Sequence, residues 1–298
     1  MDFFKETIDI GSLTGARSCR LFHGRGHCFP GYEDVVIDWY RPVVLITLYQ
    51  PRPDIWICQL SEWLYADTNV EAVLVQERYR SGAPSRVLAG VLPEEIYAFE
   101  AGLKYRLRLN GAQNIGFFPD MATGRELVKD VAAGRKVLNL FSYSCSFSVA
   151  AIAGGAEQVV NVDMNRGALQ LGKMNHRING LDLRKASFLS LEIFRSFSRL
   201  RKLSPFDLII CDPPADQGSS FTAQRDWPKL IRKIPPLVSA GGELLLCLSS
   251  PYLSSAYAQH LMLEYCPRAQ LLKTLHSGDD FPEVAAERGL VLLYYRIP

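Results

Sequence analysis

From about residue 120 to the C terminus, apolar positions cluster in short runs separated by amphipathic stretches. The runs at 136–140, 158–163, 185–189, 206–212, 243–248, 271–276 and 290–296 read as strands. Helical spacing of apolar residues falls between them, at 166–179, 192–203, 224–238 and 255–266. The run Phe206-Asp207-Leu208-Ile209-Ile210 is nearly continuous rather than alternating, as expected of a strand covered on both faces. Strands alternating with helices imply βαβ units and a Rossmann-like α/β fold with a mostly parallel, seven-stranded sheet.

The first third has a different pattern. Segments 35–40, 43–49 and 72–79 are rich in β-branched and aromatic residues, and Arg41-Pro42 separates the first two. Ser61 to Asn69 allows one short helix, 81–85 reads as a surface loop, and 104–109 alternates strictly, as a one-sided strand does. The expectation is a small α+β domain with an antiparallel sheet over 1–110, followed by the Rossmann-like domain over 111–298.

Composition adds a few exclusions. The 298 residues are 48% hydrophobic and 21% charged, ordinary for a globular chain. Residues 1–95 hold 9 Lys/Arg against 13 Asp/Glu, whereas the remainder holds 24 against 18, so any nucleic-acid field is expected mainly from the C-terminal part. No stretch approaches the roughly 20 continuous apolar residues of a membrane helix, and the N terminus has no signal-peptide core. Seven cysteines with no CxxC pair fit a reducing, cytoplasmic setting. Cys58, Cys211 and Cys247 lie in apolar runs, where buried thiols are expected. His23, His27 and Cys28 flank glycines rather than sharing a helix face, and no metal site is expected there.

In an open parallel sheet, ligands bind beyond the carboxyl ends of the strands. The first such end reads Asn139-Leu140-Phe141-Ser142-Tyr143-Ser144-Cys145, a turn of small polar residues without the glycine that a pyrophosphate requires. It reads either as a ligand loop or as a structural turn. Asp163 ends the second strand, where a carboxylate accepts hydrogen bonds from ribose hydroxyls or else caps the next helix. Glu192 opens another helix, suited to an adenine amino group or to the helix dipole. The fourth strand ends in Cys211-Asp212-Pro213-Pro214. Each proline holds its predecessor extended, and Pro214 cannot donate, so the segment presents acceptors.

With these segments in this order, the sequence resembles class I S-adenosylmethionine (SAM)-dependent methyltransferases. More narrowly, it resembles the bacterial 23S ribosomal RNA methyltransferase family that includes 5-methylcytosine and 7-methylguanine formers. The matching stretches are His23 to Gly31 running into Val35 to Tyr40, Asn114 to Asp120, Val137 to Val149, Val160 to Met164 with Asn175 and Asn179, and Phe206 to Pro214. The N-terminal PUA domain of many members is not expected here. The resemblance implies SAM as cofactor, held by Phe118, Asp120, Asn139, Phe141, Ser142, Tyr143, Ser144, Cys145, Asp163, Met164, Glu192 and Asp212. Asp212, Pro213 and Pro214 would face the target base.

Two positions depart from the family. A glycine usually stands where Cys145 is, and Ser249 takes the place of the nucleophilic Cys that cytosine C5 methylation requires. Cys247 lies two residues earlier, inside the apolar run, and is expected in the core. A base nitrogen, guanine foremost, is therefore the expected acceptor in large-subunit ribosomal RNA. The alternatives are cytosine C5, a protein or small molecule, and a binding module that has lost catalysis. Phe221, Trp227 and Tyr252 are candidate base-stacking platforms, and Lys104, Arg106 and Arg108 are candidate phosphate contacts. Each of these six has a bland counterpart, core packing or a solvated strand face.

Overall fold

The computed structural model describes residues 2–109, 113–217, 221–249 and 253–298. Two compact units result: Met1–Asp120 with Gly278–Val284, and Met121–Ser277 with Ala285–Pro298. The expected division at 110 differs in two places. Residues 113–120 stay with the first unit because Phe117 is buried and stacks on Tyr105 at 4.8 Å, and Arg108 N donates to Ile115 O. The loop 278–284 joins that unit through Val284 N to Gly26 O and an Arg17–Asp280 ion pair.

The N-terminal unit opens with helix α1 (Asp2–Thr7) and then forms a five-stranded sheet of β1 (Cys19–His23), β2 (Val35–Tyr40), β3 (Val43–Leu48), β4 (Ala72–Glu77) and β5 (Ser85–Gly90), in that order. Three of the pairings are antiparallel, but β3 and β4 run parallel. The reason is helix α2 (Asp54–Tyr65) between them, since parallel neighbours need a crossover. The helix begins earlier than the expected 61–69. Its buried stripe is Ile57, Leu60, Ser61 and Leu64, spaced at helical intervals. Cys58 is one step off that stripe and is exposed, contrary to the expectation that it is buried. A hairpin of β6 (Tyr97–Glu100) and β7 (Leu103–Arg106) follows, turning on Ala101 and Gly102, both with positive φ. Arg106 ion-pairs with Glu95, and Lys104 and Arg106 both lie over the Tyr97 ring, so the expected strand face is internally engaged.

The second unit carries helix α3 (Ala122–Val131), β8 (Lys136–Leu140), α4 (Ser146–Ala153), β9 (Gln158–Asp163), α5 (Arg166–Ile178), β10 (Ala186–Ser190), α6 (Ile193–Leu203) and β11 (Phe206–Cys211). After these come the two-residue strands β12 (Asp216–Gln217) and β13 (Phe221–Thr222), α7 (Ala223–Lys233), β14 (Val238–Leu248), α8 (Ser255–Tyr265), β15 (Gln270–His276) and β16 (Val291–Arg296). The main sheet has the order β10-β9-β8-β11-β14-β16-β15. The strands from β10 to β14 are parallel, and β16 runs antiparallel to both of its neighbours. The expected helix at 224–238 is shorter because Pro235-Pro236 ends it and Val238 already begins β14.

Side chains alternate across this sheet. Leu138, Leu140, Val160, Val162, Ile209 and Leu246 pack against α6, α7 and α8, while Val137, Val159, Leu208, Ile210 and Leu245 pack against α3 and α4. Both faces are buried, which is why the strands read as continuous apolar runs. Among the described residues, no helix is long and apolar enough to cross a membrane.

Candidate active site at the carboxyl edge of the sheet

The strand order reverses between β8 and β11, and the chemistry expected from the sequence collects there. Pairing aligns the strand ends: Ser190 opposite Asp163, Leu140 opposite Val162, and Cys211 opposite both Leu140 and Leu246. The loops after β8, β9, β10 and β11 therefore leave from one edge, the place for a ligand in such a fold.

The turn after β8 takes an unusual backbone path. Phe141, Tyr143 and Cys145 all have positive φ, at 57°, 44° and 59°. Each left-handed non-glycine residue costs roughly 1–2 kcal/mol, so this turn takes at three side-chain-bearing positions the conformation that glycines adopt freely. Three bonds offset the strain: Ser142 N to Val162 O at 3.0 Å, Cys145 N to Ser142 O at 2.7 Å, and Tyr143 N to Asp163 Oδ2 at 2.8 Å. Strain of this kind concentrates where backbone must be presented to a ligand.

Cys145 is accommodated by its neighbour. An added Cβ at Gly172 on α5 would overlap Cys145 Sγ and lie 2.9 Å from Cys145 Cβ. Gly172→Ala is expected to cost about 1–3 kcal/mol by overpacking, read from the urea midpoint. Cys145→Gly in that background should restore most of the loss by vacating the space and relaxing the backbone; an additive double mutant would refute the pairing.

Asp163 closes the clamp. Its Oδ2 takes Tyr143 N and its Oδ1 takes Asn165 N at 2.7 Å. The cap of α5 is Asn165, which accepts from Ala168 N, so Asp163 is not the cap. Burial pushes the Asp163 carboxyl upward, with the two backbone donors acting against it. A half-buried carboxylate with lone pairs left over is suited to hydroxyl donors that replace water. Glu192 caps α6, its two oxygens accepting from Phe194 N and Arg195 N at 2.9 Å each. The capping role is thus filled, and Oε2 also lies 3.9 Å from Arg195 Nε. Met164 is 48% exposed beside Asp163.

Beneath the turn runs a buried polar chain. Asn139 Nδ2 donates to Asn161 Oδ1, Asn161 Nδ2 donates to Ser148 Oγ, and Ser148 meets His176 Nε2 at 2.9 Å. Burial lowers the His176 pKa, so the ring is neutral, with Nδ1–H donating to Gly172 O. This chain ties β8, β9, α4 and α5 together directly under the strained turn. It places the Asn139 side chain in the support of the site.

Asp212, Pro213 and Pro214 leave β11 next to the turn. Pro213 is buried, and Asp212 and Pro214 are half-buried. Phe221, beside Phe141 and Phe194, and Trp227, on the buried face of α7, are 1% and 2% exposed in the core, which corrects the reading of either as a stacking platform. Tyr252, Ser250 and Pro251 lie outside the described residues. Ser249 is exposed at the end of β14. Cys145, Cys211 and Cys247 are completely buried, and burial drives the thiols of the first two far above the usual range. Phe118, 40% exposed, and the half-buried Asp120 close the N-terminal unit.

The donor set fits SAM. Carboxylates such as Asp163 and Glu192 are chemically suited to a ribose diol and an amine, and SAM has no phosphate for the turn to accommodate, so side chains at its glycine positions are tolerable. Comparison with known proteins agrees. A ribosomal RNA large subunit methyltransferase I from Serratia proteamaculans is 30% identical over 93% of this chain and 73% of its own length. The protein of that name from Aeromonas salmonicida is 29% identical over 91% and 70%. The fold superimposes on a methyltransferase solved with S-adenosylhomocysteine (SAH), SMU.776, with TM-score 0.84 and 25% identity, over 99% of this chain and 80% of that one. The S-adenosylmethionine-dependent methyltransferase family model matches residues 19–296, and with the strained turn, the Asp163 clamp and the Asp212-Pro213-Pro214 edge already in place, the chain belongs to that family.

Proposed function

We propose that the enzyme methylates a base nitrogen, guanine foremost, in large-subunit ribosomal RNA in the cytoplasm. The observation that carries this is the state of the thiols at the carboxyl edge. Cytosine C5 becomes nucleophilic only after a thiolate adds at C6. Here Cys145, Cys211 and Cys247 are sealed in the core, and Ser249 is the exposed residue at the end of β14. A guanine nitrogen brings its own lone pair and needs only positioning.

SAM supplies the methyl group as an electrophile. The clamp on Tyr143 N and Asn165 N holds Asp163 to orient the ribose, and Glu192 meets the adenine edge. Asp212, held extended before Pro213, accepts from the donor edge of the base and so fixes the attacking nitrogen in line. As the N–CH3 bond formed and the S–CH3 bond broke, SAH would leave as a neutral thioether and the positive charge would pass to the base, where the Asp212 carboxylate would stabilise it or take up the proton of an N–H acceptor. The relatives named as large-subunit ribosomal RNA methyltransferases support RNA as substrate.

Mass mapping of nucleosides after incubation with SAM and undermethylated ribosomal RNA tests the reading. Methylguanosine without 5-methylcytidine is expected. Appearance of 5-methylcytidine would move the acceptor to carbon, and transfer that survives RNase treatment would move the substrate to protein.

A further inference from the structure

The segment His23-Gly24-Arg25-Gly26-His27 lies in the N-terminal unit, and its geometry is tightly specified. Residues 24–26 form a single 3-10 turn. An added Cβ at Gly24 would overlap Tyr32 O and lie 2.6 Å from Val35 O, and one at Gly26 would overlap Pro282 O. His27, with φ at 60°, ends the turn in the left-handed region. Two glycines locked against backbone thus present the Arg25 side chain, which is exposed.

Arg25 faces a cavity of about 660 Å³ in the N-terminal unit, lined also by His27, Glu33, Tyr49, Gln50 and Arg52. Its guanidinium lies 4.4 Å from the centre of the half-buried Tyr49 ring, and that of Arg78 lies 5.4 Å from the same ring. Neither has an acidic partner within ion-pair distance among the described residues. Asp34 is taken by Arg52, whose Nε donates to it at 2.8 Å, and Glu33 accepts from Gly31 N. Arg52 in turn sits over Tyr32 and Trp56, at 5.5 and 5.3 Å. Two guanidiniums drawn to one ring carry like charge, and an anion bound between them would relieve their repulsion. Guanidinium forks match phosphate oxygens, and arginine stacked on aromatics is the recurring surface for single-stranded RNA.

We propose that Arg25 and Arg78, spread over Tyr49, form a phosphodiester subsite for single-stranded RNA on the N-terminal unit, with the adjoining cavity receiving the next nucleotide. This rests on RNA being the substrate and gives the N-terminal unit its role in holding it. It also places a phosphate site in the acidic part of the sequence, where the net-charge balance points away from one.

Fluorescence anisotropy with a labelled ribosomal RNA fragment and SAH-saturated full-length protein tests it. The double variant Arg25→Glu, Arg78→Glu should bind at least about tenfold more weakly. The slope of log K against log[salt] should become shallower by about 0.7 for each phosphate no longer neutralised. KM for RNA should rise, with SAH affinity and the thermal midpoint held. Arg25→Lys with Arg78→Lys should recover the salt slope but only part of the affinity, since an ammonium lacks the fork. Equal affinity and slope in the charge-reversed variant would overturn the proposal even if RNA is methylated. Wild-type protein that does not bind RNA would overturn it too. Methyl transfer to a non-RNA acceptor, with RNA binding abolished in the variant, would strike the RNA-substrate reading and leave the subsite standing.

Discussion

Asp163→Ala is expected to weaken SAM and SAH binding by at least about 100-fold. Two effects coincide. On the proposed reading the ribose would lose its carboxyl acceptor, and hydrogen bonds to charged groups are worth about 1.5–3 kcal/mol each. The turn after β8 also loses the acceptor for Tyr143 N, at a residue held with φ at 44°. With that bond gone, only the Ser142 N–Val162 O and Cys145 N–Ser142 O bonds still hold three left-handed non-glycine residues, and the turn should relax away from its binding shape. Asp163→Asn keeps one carbonyl oxygen, so its effect should be nearer tenfold. Calorimetry with SAH measures both, and a thermal midpoint separates loss of the site from loss of the fold. Unchanged affinity in the alanine variant would move the cofactor away from the β8–β9 edge.

Asp212→Ala should lower kcat for methyl transfer by about 10²–10⁴, in the range of a positioned acid–base or electrostatic group, with the change in SAH affinity the smaller effect. The rigidity of the segment makes the drop large. Proline after Asp212 disfavours helical conformations at that residue, so its backbone is held extended and cannot readily swing another acceptor into its place. Asp212→Asn should retain orientation through its carbonyl but lose the charge that stabilises the methylated base. Single-turnover rates at saturating SAM and RNA distinguish positioning from binding. A kcat within about twofold of wild type in the alanine variant would remove Asp212 from the chemistry.

Much of the catalytic unit is legible from residue order alone. The seven strands of its main sheet and several of its helices follow from apolar runs and helical spacing, because a strand buried on both faces has no polar side to interrupt it. The places to search for the site are legible too, since carboxylates and prolines that end parallel strands sit at one edge whatever their neighbours are. Short helices such as α4 escape this reading: Ser146–Ala153 is buried nearly all round and carries no amphipathic period.

Other features depend on tertiary structure. Whether Cys58 is buried depends on which face of α2 meets the core, whereas Cys247 lies in a strand covered on both faces, and the apolar runs around both look alike. The joining of Gly278–Val284 to the N-terminal unit arises from pairs such as Arg17 and Asp280, far apart in sequence, which no local pattern encodes. The tolerance of Cys145 at a glycine position rests on Gly172, and the clamp on Tyr143 rests on Asp163, 20 residues away. Local order is enough to set the α/β alternation and the acceptors at the strand ends, because periodicity and proline act over a few residues. The bent backbone that makes those acceptors a site, and the two arginines brought to one tyrosine, exist only where distant segments meet.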